Sequence, residues 1–378
     1  MDFEFSPEQM QMQDTVRGLL ADHYDTARAK AVAESGGQDE RVWRQLAEAG
    51  IFSVAVPEAH GGMGLGFVDL ALILEEFGRA LVPAPAAETL VATDVIARHA
   101  TPEQQAKWLP AIAEGKLRVT LAIAEVDAAY ATAFTTSVAQ PAGNGWTLDG
   151  LKILVPDAAG CDLILASVHF GAGGPVGLVA LDRTRAGVSL RPHVGLDRSS
   201  RHDEVTFSAV SITQDDIVGG APSAAAVALA SEGGAAAAAL QMTGIAARVL
   251  DDAVAYAGQR TQFGKAIGSF QAIKHRCADM AVSLEGARSA AYYAAWAVAE
   301  DSPGLEQAVS MAKAFCGDTS RFVCREGIQI HGGIGFTWDL GLHLWVRRAK
   351  MLESAYGDAV QHRERVLART LADLGIGA

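Results

Sequence analysis

The sequence has no surplus of positive charge: 31 Lys and Arg stand against 44 Asp and Glu, a formal net charge of −13. A nucleic-acid binder presents a basic face, so that function is set aside, although a local basic pocket for an anionic ligand stays compatible with this balance. No uninterrupted apolar run reaches the roughly 18 residues that suggest a membrane span. The opening MDFEFSPEQMQMQ carries acids and lacks a basic stretch leading into an apolar one, so no signal peptide is expected and the chain reads as cytoplasmic. The cysteines, Cys161, Cys277, Cys316 and Cys324, form no CxxC pair; reduced, partly buried thiols are expected, and no metal site. HExxH, His–carboxylate metal spacings and GxSxG are missing as well. No internal repeat or low-complexity linker is evident.

Half of the 378 residues are hydrophobic, enough for a large core shared among two or three domains. Residues 1–117 read as helical. SPEQMQMQDTVRGLLADHY opens with Ser6 as an N-cap and a proline just after it. DERVWRQLAEAG puts Trp43, Leu46 and Ala47 on one face and stops at Gly50. VPEAHGGMGLG is a glycine-rich loop, and TPEQQAKWLPAIAEG starts with a Thr101 cap ahead of Pro102. Near Val119 the character changes. TTSVAQ, GWTLDGLKILV, DLILASVHF, VGLVALD and DEVTFSAVSI are short, β-rich and separated by Gly, Asn and Asp, the pattern of an antiparallel all-β unit over 118–220. From 221 to 378 the chain is helical again and rich in alanine. Its first stretch, SAAAVALASEGGAAAAALQMTGIAARVLDDAVAYAGQR, reads as interrupted at Gly233 and Gly234, and the small residues predict a tight four-helix bundle. The expected fold class is α+β multidomain: an all-α domain, a middle antiparallel β-barrel or sandwich, and a C-terminal four-helix bundle.

Three segments, in order, resemble the acyl-CoA dehydrogenase family. WRQLAEAGIFSVAVPEAHGGMGLGFVDLALILEEFGRAL is similar to its N-terminal helices and loop, RTQFGKAIGSFQAIKHRCADM to its RxxFGxxxxxxQ signature, and IQIHGGIGF followed by WVRRAK to its QxxGGxGF…RDAK segment. The resemblance covers nearly the whole chain. It implies a tetramer around FAD, with the FAD lying across a subunit interface. One subunit holds the isoalloxazine; its neighbour reaches over to the pyrophosphate and adenosine. The reaching residues implied here are Arg260, Phe263, Gln271, Gln329, Gly332 and Gly333. Arginine offsets pyrophosphate charge with a directional fork. Phenylalanine supplies an apolar wall, the glutamines supply amides, and the glycines let backbone N–H groups approach. Taken alone, the glycine pair reads as a helix C-cap and turn; the family register of the other four residues favours the cofactor.

Other family positions are changed. AIAEVDAAYATA stands where the resemblance expects TEPxxGSD, leaving only Glu125, and DGLKILVPDAAG stands where it expects NGxKxWITN. Leu154 replaces the tryptophan that packs on the flavin and Pro156 the hydroxyl residue that bonds its edge; leucine cannot stack as an aromatic does, and proline has no N–H. The family reaction removes a proton α to a thioester carbonyl and needs a carboxylate over it. At the commoner base position, counted from Lys350, stands Tyr356, a phenol whose ordinary pKa near ~10 makes it a poor base. At the rarer one, counted back from Arg260, stands Gly234, followed by Ala235. Glu232 lies about 200° round a helix from Gly234, the wrong face unless the helix begins late. Asp358 reads as a local cap and Glu353 as a solvated helix face pairing with nearby arginines. His331 reads as bonded within the cofactor loop, and His275, His343 and His362 as lying on polar or interface faces.

The loss is selective, because the residues that reach into a neighbour's FAD remain. The expectation is a non-catalytic subunit of a heteromeric (α2β2) acyl-CoA dehydrogenase, with no catalytic residue of its own and a second, similar chain as partner. The resemblance extends to heteromers of actinobacteria that shorten steroid side chains carried as CoA thioesters. It implies a bulky acyl-CoA substrate and an electron-transfer flavoprotein-type acceptor. The rival expectations are a homotetrameric dehydrogenase with Glu232 as a displaced base, a flavin monooxygenase on the same fold, and a scaffold without cofactor contact.

Overall fold

The computed structural model describes residues 5–126 and 135–376. Backbone contacts group them into two units, one of Met1–Ala31, Ala71–Val82 and Ala235–Ala378, the other of Val32–Leu70 and Pro83–Gly234. Among the described residues the helices before the strands are α1 (Pro7–His23), α2 (Thr26–Ser35), α3 (Glu40–Glu48), α4 (Phe67–Ala80), α5 (Ala86–His99) and α6 (Pro102–Ala113). Local chemistry sets their starts. Ser6 and Thr101 each close a capping box with a glutamine, ahead of a proline in the first turn. Asp39 caps α3, which buries Val42, Trp43 and Leu46 and leaves Ala47 half-buried; Gly50 follows in the left-handed conformation, φ 74°.

The second unit holds one sheet built from β1 (Val119–Ala122), β2 (Val138–Ala142), β3 (Gly145–Pro156), β4 (Leu163–Phe170), β5 (Val176–Asp182), β6 (Val188–His193) and β7 (His202–Ile212). The strand order is β1-β4-β2-β3-β7-β6, with β5 also on β4. Most pairings are antiparallel; β4 runs parallel to β1 and β2. Leu148, Val155, Ile164, Val179, Val205 and Phe207 belong to its core. Two register shifts interrupt the β3–β7 pairing, and the second, between Lys152 and Val155, carries Leu154 at φ 53°.

An ion pair is buried beside this core. The Lys152 ammonium, 0% exposed, lies 2.6 Å from Glu125 Oε1 and also donates to the hydroxyls of Thr135 (2.9 Å) and Ser167 (3.0 Å). Glu125 accepts further bonds from the hydroxyls of Thr135, Thr136 and Ser137 and from the amides of Thr136 and Ser137. Gly150 makes room for Ser137, since a Cβ there would fall 2.3 Å from its hydroxyl oxygen. Burial pushes the Glu125 carboxyl up, but Lys152 and the surrounding donors outweigh it and hold the group at about 2. At Lys152 burial wins over the carboxylate and lowers the ammonium to about 8.

After the sheet come α7 (Ala224–Gln259), a hairpin of β8 (Thr261–Gln262) and β9 (Lys265–Ala266), α8 (Gln271–Ala299), α9 (Leu305–His331), α10 (His343–Ser354) and α11 (Ala359–Asp373). The expected interruption at Gly233 and Gly234 does not occur: α7 is one unbroken helix. A helical glycine costs about 1 kcal/mol relative to alanine, but here the flanking residues Ala230 and Ala235 to Leu240 are buried, and tertiary packing decides. Gly233 also admits a neighbour; a Cβ on it would lie 3.0 Å from Val91 Cγ1.

Helices α4 and α7 meet backbone to backbone in the first unit. A Cβ on Gly244 would lie 1.8 Å from the Glu75 carbonyl oxygen, and one on Gly78 2.0 Å from that of Gln241. The buried Glu75 carboxylate accepts from Arg288 Nε (3.1 Å) and Nη2 (3.0 Å) and from the Tyr292 hydroxyl, all on α8. Trp345 and Arg348 of α10 donate to the carbonyls of Arg79 and Val82, each at 2.9 Å, satisfying acceptors at the end of α4. No helix among the described residues is long and apolar enough to cross a membrane.

Two outcomes are expected. Gly244→Ala destabilises by about 1–3 kcal/mol through overpacking, whereas Gly258→Ala, where nothing lies within 4 Å, does not destabilise; thermal denaturation of the pair separates crowding from helix propensity. Lys152→Met strands Glu125 and costs roughly 3–5 kcal/mol near neutral pH. The Glu125 carboxyl is depressed in the fold, so its stabilisation is present above the ordinary carboxylate range and is lost as pH falls toward about 2. The deficit of the Lys152→Met chain therefore shrinks on acidification, which denaturant titrations at neutral and acid pH measure.

Candidate functional site

Helix α7 ends at Gln259, and Arg260 turns the chain into the β8–β9 hairpin. Pairing of Gln262 with Lys265 leaves a two-residue turn, Phe263 at φ 54° and Gly264 at φ 78°. Positive φ at both positions is the twist a tight hairpin wants, usually supplied by Asn-Gly. Here the first position is phenylalanine, a residue strained in that conformation, and its ring is 91% exposed. The Phe263 and Phe270 rings stand perpendicular, centroid to centroid 6.1 Å, while Lys265 lies over the Phe270 ring at 4.4 Å. Gln271 is the first residue of α8 and is exposed.

The second segment closes α9. Gln329 is exposed on its last turn, and Gly332 terminates it at φ 64°, ψ −141°, a conformation only glycine adopts readily. The Gly332 amide is spent on the helix, donating to the carbonyls of Gln329 and Ile328, so it does not face a ligand as the sequence suggested. Gly332 is thus the C-cap of α9. Both Gly332 and Gly333 are exposed, with open space where a Cβ would go.

The structure brings these segments to one end of the helices. The Tyr256 ring, one turn before Arg260, stacks on His331, immediately before Gly332, at 4.6 Å and 30°. Arg276 near the start of α8 pairs with Glu326 near the end of α9. His331, expected to bond within the loop, is instead the last residue of α9, with its Nδ1 2.7 Å from the carbonyl of Gly327 one turn back on the same helix. The side chains of Arg260, Gln271 and Gln329 make no hydrogen bond or ion pair among the described residues. An exposed guanidinium, two free amides, an apolar ring and an open, side-chain-free glycine turn are groups that could hold the phosphate-bearing end of a dinucleotide.

The positions expected to hold a flavin ring do not fit it. Leu154 offers no aromatic face, and its backbone is in the left-handed region. Pro156 has no N–H, and its carbonyl accepts the Thr120 hydroxyl at 2.6 Å. The next residue, Asp157, is buried; burial pushes its carboxyl up to about 7 against the Gln38 amide, 2.7 Å away. Most of the changed stretch after Glu125 lies outside the described residues. What survives of that motif is the Glu125–Lys152 pair, whose role inside the unit is structural.

Neither base position supplies a carboxylate. Gly234 and Ala235 sit inside unbroken α7, so the late helix start that would turn Glu232 toward that face is not found; Glu232 is buried, 8% exposed. Tyr356, at φ 57°, lies in a clamped turn. Lys313 donates to the carbonyls of Glu353 and Gly357, each at 2.9 Å, and His362 Nε2 to that of Tyr356 at 3.0 Å. Burial lowers Lys313 to about 8 and His362 to about 4, the latter helped by Lys313 and Arg365. A neutral His362 then donates through Nε2 and takes the Ser310 hydroxyl on Nδ1, 3.1 Å away. His362 is therefore a buried strut, not the polar-face residue expected, because the turn's carbonyls need a donor there. Glu353 pairs with Arg321 (3.1 Å) and Lys350 (3.2 Å) but is buried, not solvated. Asp358 closes a capping box at the start of α11, as expected. The clamping lysine and the Tyr256–His331 stack had no periodic or motif signal.

Residues 226–371 match the family model described as acyl-CoA dehydrogenase, C-terminal domain, and residues 6–116 the one described as acyl-CoA dehydrogenase, N-terminal domain. Over 97% of its length the chain is 34% identical to acyl-CoA dehydrogenase FadE34 of Mycobacterium tuberculosis, of which it spans about half, 48%. Acyl-CoA dehydrogenase FadE27 of the same organism is 31% identical over 89% of each chain. Among solved structures, a chain of the Tcur3481-Tcur3483 steroid ACAD variant superposes with a TM-score of 0.88 at 32% identity, covering 97% of this chain and 98% of that one. By sequence and by architecture, the chain belongs to the acyl-CoA dehydrogenase family.

Proposed function

We propose that this chain is the non-catalytic subunit of a heteromeric acyl-CoA dehydrogenase, an α2β2 assembly with a second acyl-CoA dehydrogenase-like chain. When bound, FAD supplies the hydride acceptor for α,β-dehydrogenation of a CoA thioester. The partner provides the catalytic carboxylate and the flavin-ring pocket. This chain provides Arg260 to offset pyrophosphate charge, Phe263 as an apolar wall, Gln271 and Gln329 as amides, and the open Gly332–Gly333 turn as room for close approach. One observation carries the reading: a strained phenylalanine stands 91% exposed at a hairpin tip, and the side chains of Arg260, Gln271 and Gln329 make no hydrogen bond or ion pair among the described residues. Such a tip is costly unless another surface covers it. Likeness to a solved two-component steroid ACAD supports the heteromer and a steroid-type acyl group as substrate class. An electron-transfer flavoprotein-type acceptor completes the proposal. The rival with Glu232 as base is disfavoured by the continuity of α7.

Purified alone, the chain is expected to be colourless; co-expressed with its partner, it yields a yellow complex with one FAD for every two chains and acyl-CoA dehydrogenation. A yellow homo-oligomer that reduces an electron acceptor with an acyl-CoA would overturn the proposal. In the complex, Arg260→Ala is expected to weaken FAD binding by about 10- to 100-fold, the loss of a charge-assisted contact. Flavin content and affinity unchanged by that substitution would leave only the scaffold reading.

A further inference from the structure

The two segments assigned to the dinucleotide come from different helices, and something must hold them in register. We propose that Tyr256 and His331 are positioning residues that fix the Arg260 hairpin relative to the Gly332–Gly333 turn; this rests on the reading that Arg260 serves the partner's FAD. The geometry is specific. The Arg260 amide donates to the Tyr256 carbonyl at 2.8 Å, closing the last turn of α7, and the Ile267 amide donates to the Arg260 carbonyl at 2.8 Å, closing the base of the hairpin. The direction in which the hairpin leaves the helix therefore follows from where Tyr256 sits. His331 is 4% exposed, although Gly332 and Gly333 beside it are exposed. Its ring cannot turn freely, because Nδ1 is 2.7 Å from the Gly327 carbonyl. The following turn folds back over it: a Cβ on Gly335 would lie 3.2 Å from His331 Cβ and 3.0 Å from the Ile328 carbonyl oxygen. A buried ring thus anchors the glycine loop, a second ring anchors the hairpin, and the two stack at 4.6 Å. Neither ring needs to touch the cofactor; each acts through its neighbour in the chain. A hydroxyl is not required for stacking, so a phenylalanine at position 256 keeps the function and an aliphatic residue does not.

The test is FAD dissociation from the co-expressed complex, followed by flavin fluorescence, in a double-mutant cycle. Tyr256→Ala and Tyr256→Leu, the second preserving bulk should the first fail to fold, are expected to raise the FAD dissociation constant about 5- to 10-fold. Tyr256→Phe stays within about twofold of the parent. In an Arg260→Ala background, Tyr256→Leu adds less than about twofold, because the group it positions is already gone. A full additive effect in that background, or no effect of Tyr256→Leu where Arg260→Ala does weaken FAD, overturns the positioning role alone. If Arg260→Ala itself leaves FAD binding unchanged, the subunit proposal falls and the positioning role falls with it.

Discussion

The contact on which the helical unit depends is the crossing of α4 and α7 at Gly78 and Gly244. With no Cβ on either glycine, the two backbones approach until carbonyl oxygens of one helix occupy the space a side chain of the other would need. Polar groups then lock the arrangement. Glu75, from the same turn of α4, collects Arg288 and Tyr292 from α8, and the last carbonyls of α4 are taken by Trp345 and Arg348 from α10. Once α7 and α8 are held in this way, the end of one and the start of the other are held too. That is where Arg260, Phe263 and Gln271 project.

In the sheet unit the corresponding role falls to buried charge. Glu125 and Lys152 are surrounded by hydroxyls and amides that together satisfy both ions. A buried pair of this kind contributes less to net stability than its removal costs, because either partner left alone is a bare charge in a low-dielectric interior. The pair draws nothing from the side chains of Leu154 and Pro156, the positions the resemblance led us to expect against a flavin ring.

The turn around Tyr356 makes the same point in the helical unit. Three of its carbonyls are fixed by the buried Lys313 and His362, so the backbone is held even though the side chain at its apex is a phenol. Burial drives both basic groups toward their neutral forms, and each meets that pressure with hydrogen bonds to carbonyls and a hydroxyl. The turn is thus held by groups distant from its apex, independently of the side chain that stands there.

Much was legible in the residues themselves. Ser6, Thr101 and Asp358 cap helices because a side-chain oxygen near a free amide acts over a few bonds, and such signals need no distant partner. The order of helical, β and helical segments, the RxxFG and QxxGG motifs and the empty base positions are likewise local strings. Other features were decided only by tertiary structure. Gly233 and Gly234, which signal a break by propensity, lie inside an intact helix because burial on both sides outweighs their conformational freedom. Glu353 and His362 look solvated by composition and are buried because Lys313, Arg321 and Ser310 reach them from 32 to 52 positions away in the chain. The meeting of Tyr256 with His331 is of the same kind: a contact between residues seventy-five positions apart has no sequence period to reveal it, and exists only because packed helices place their ends side by side.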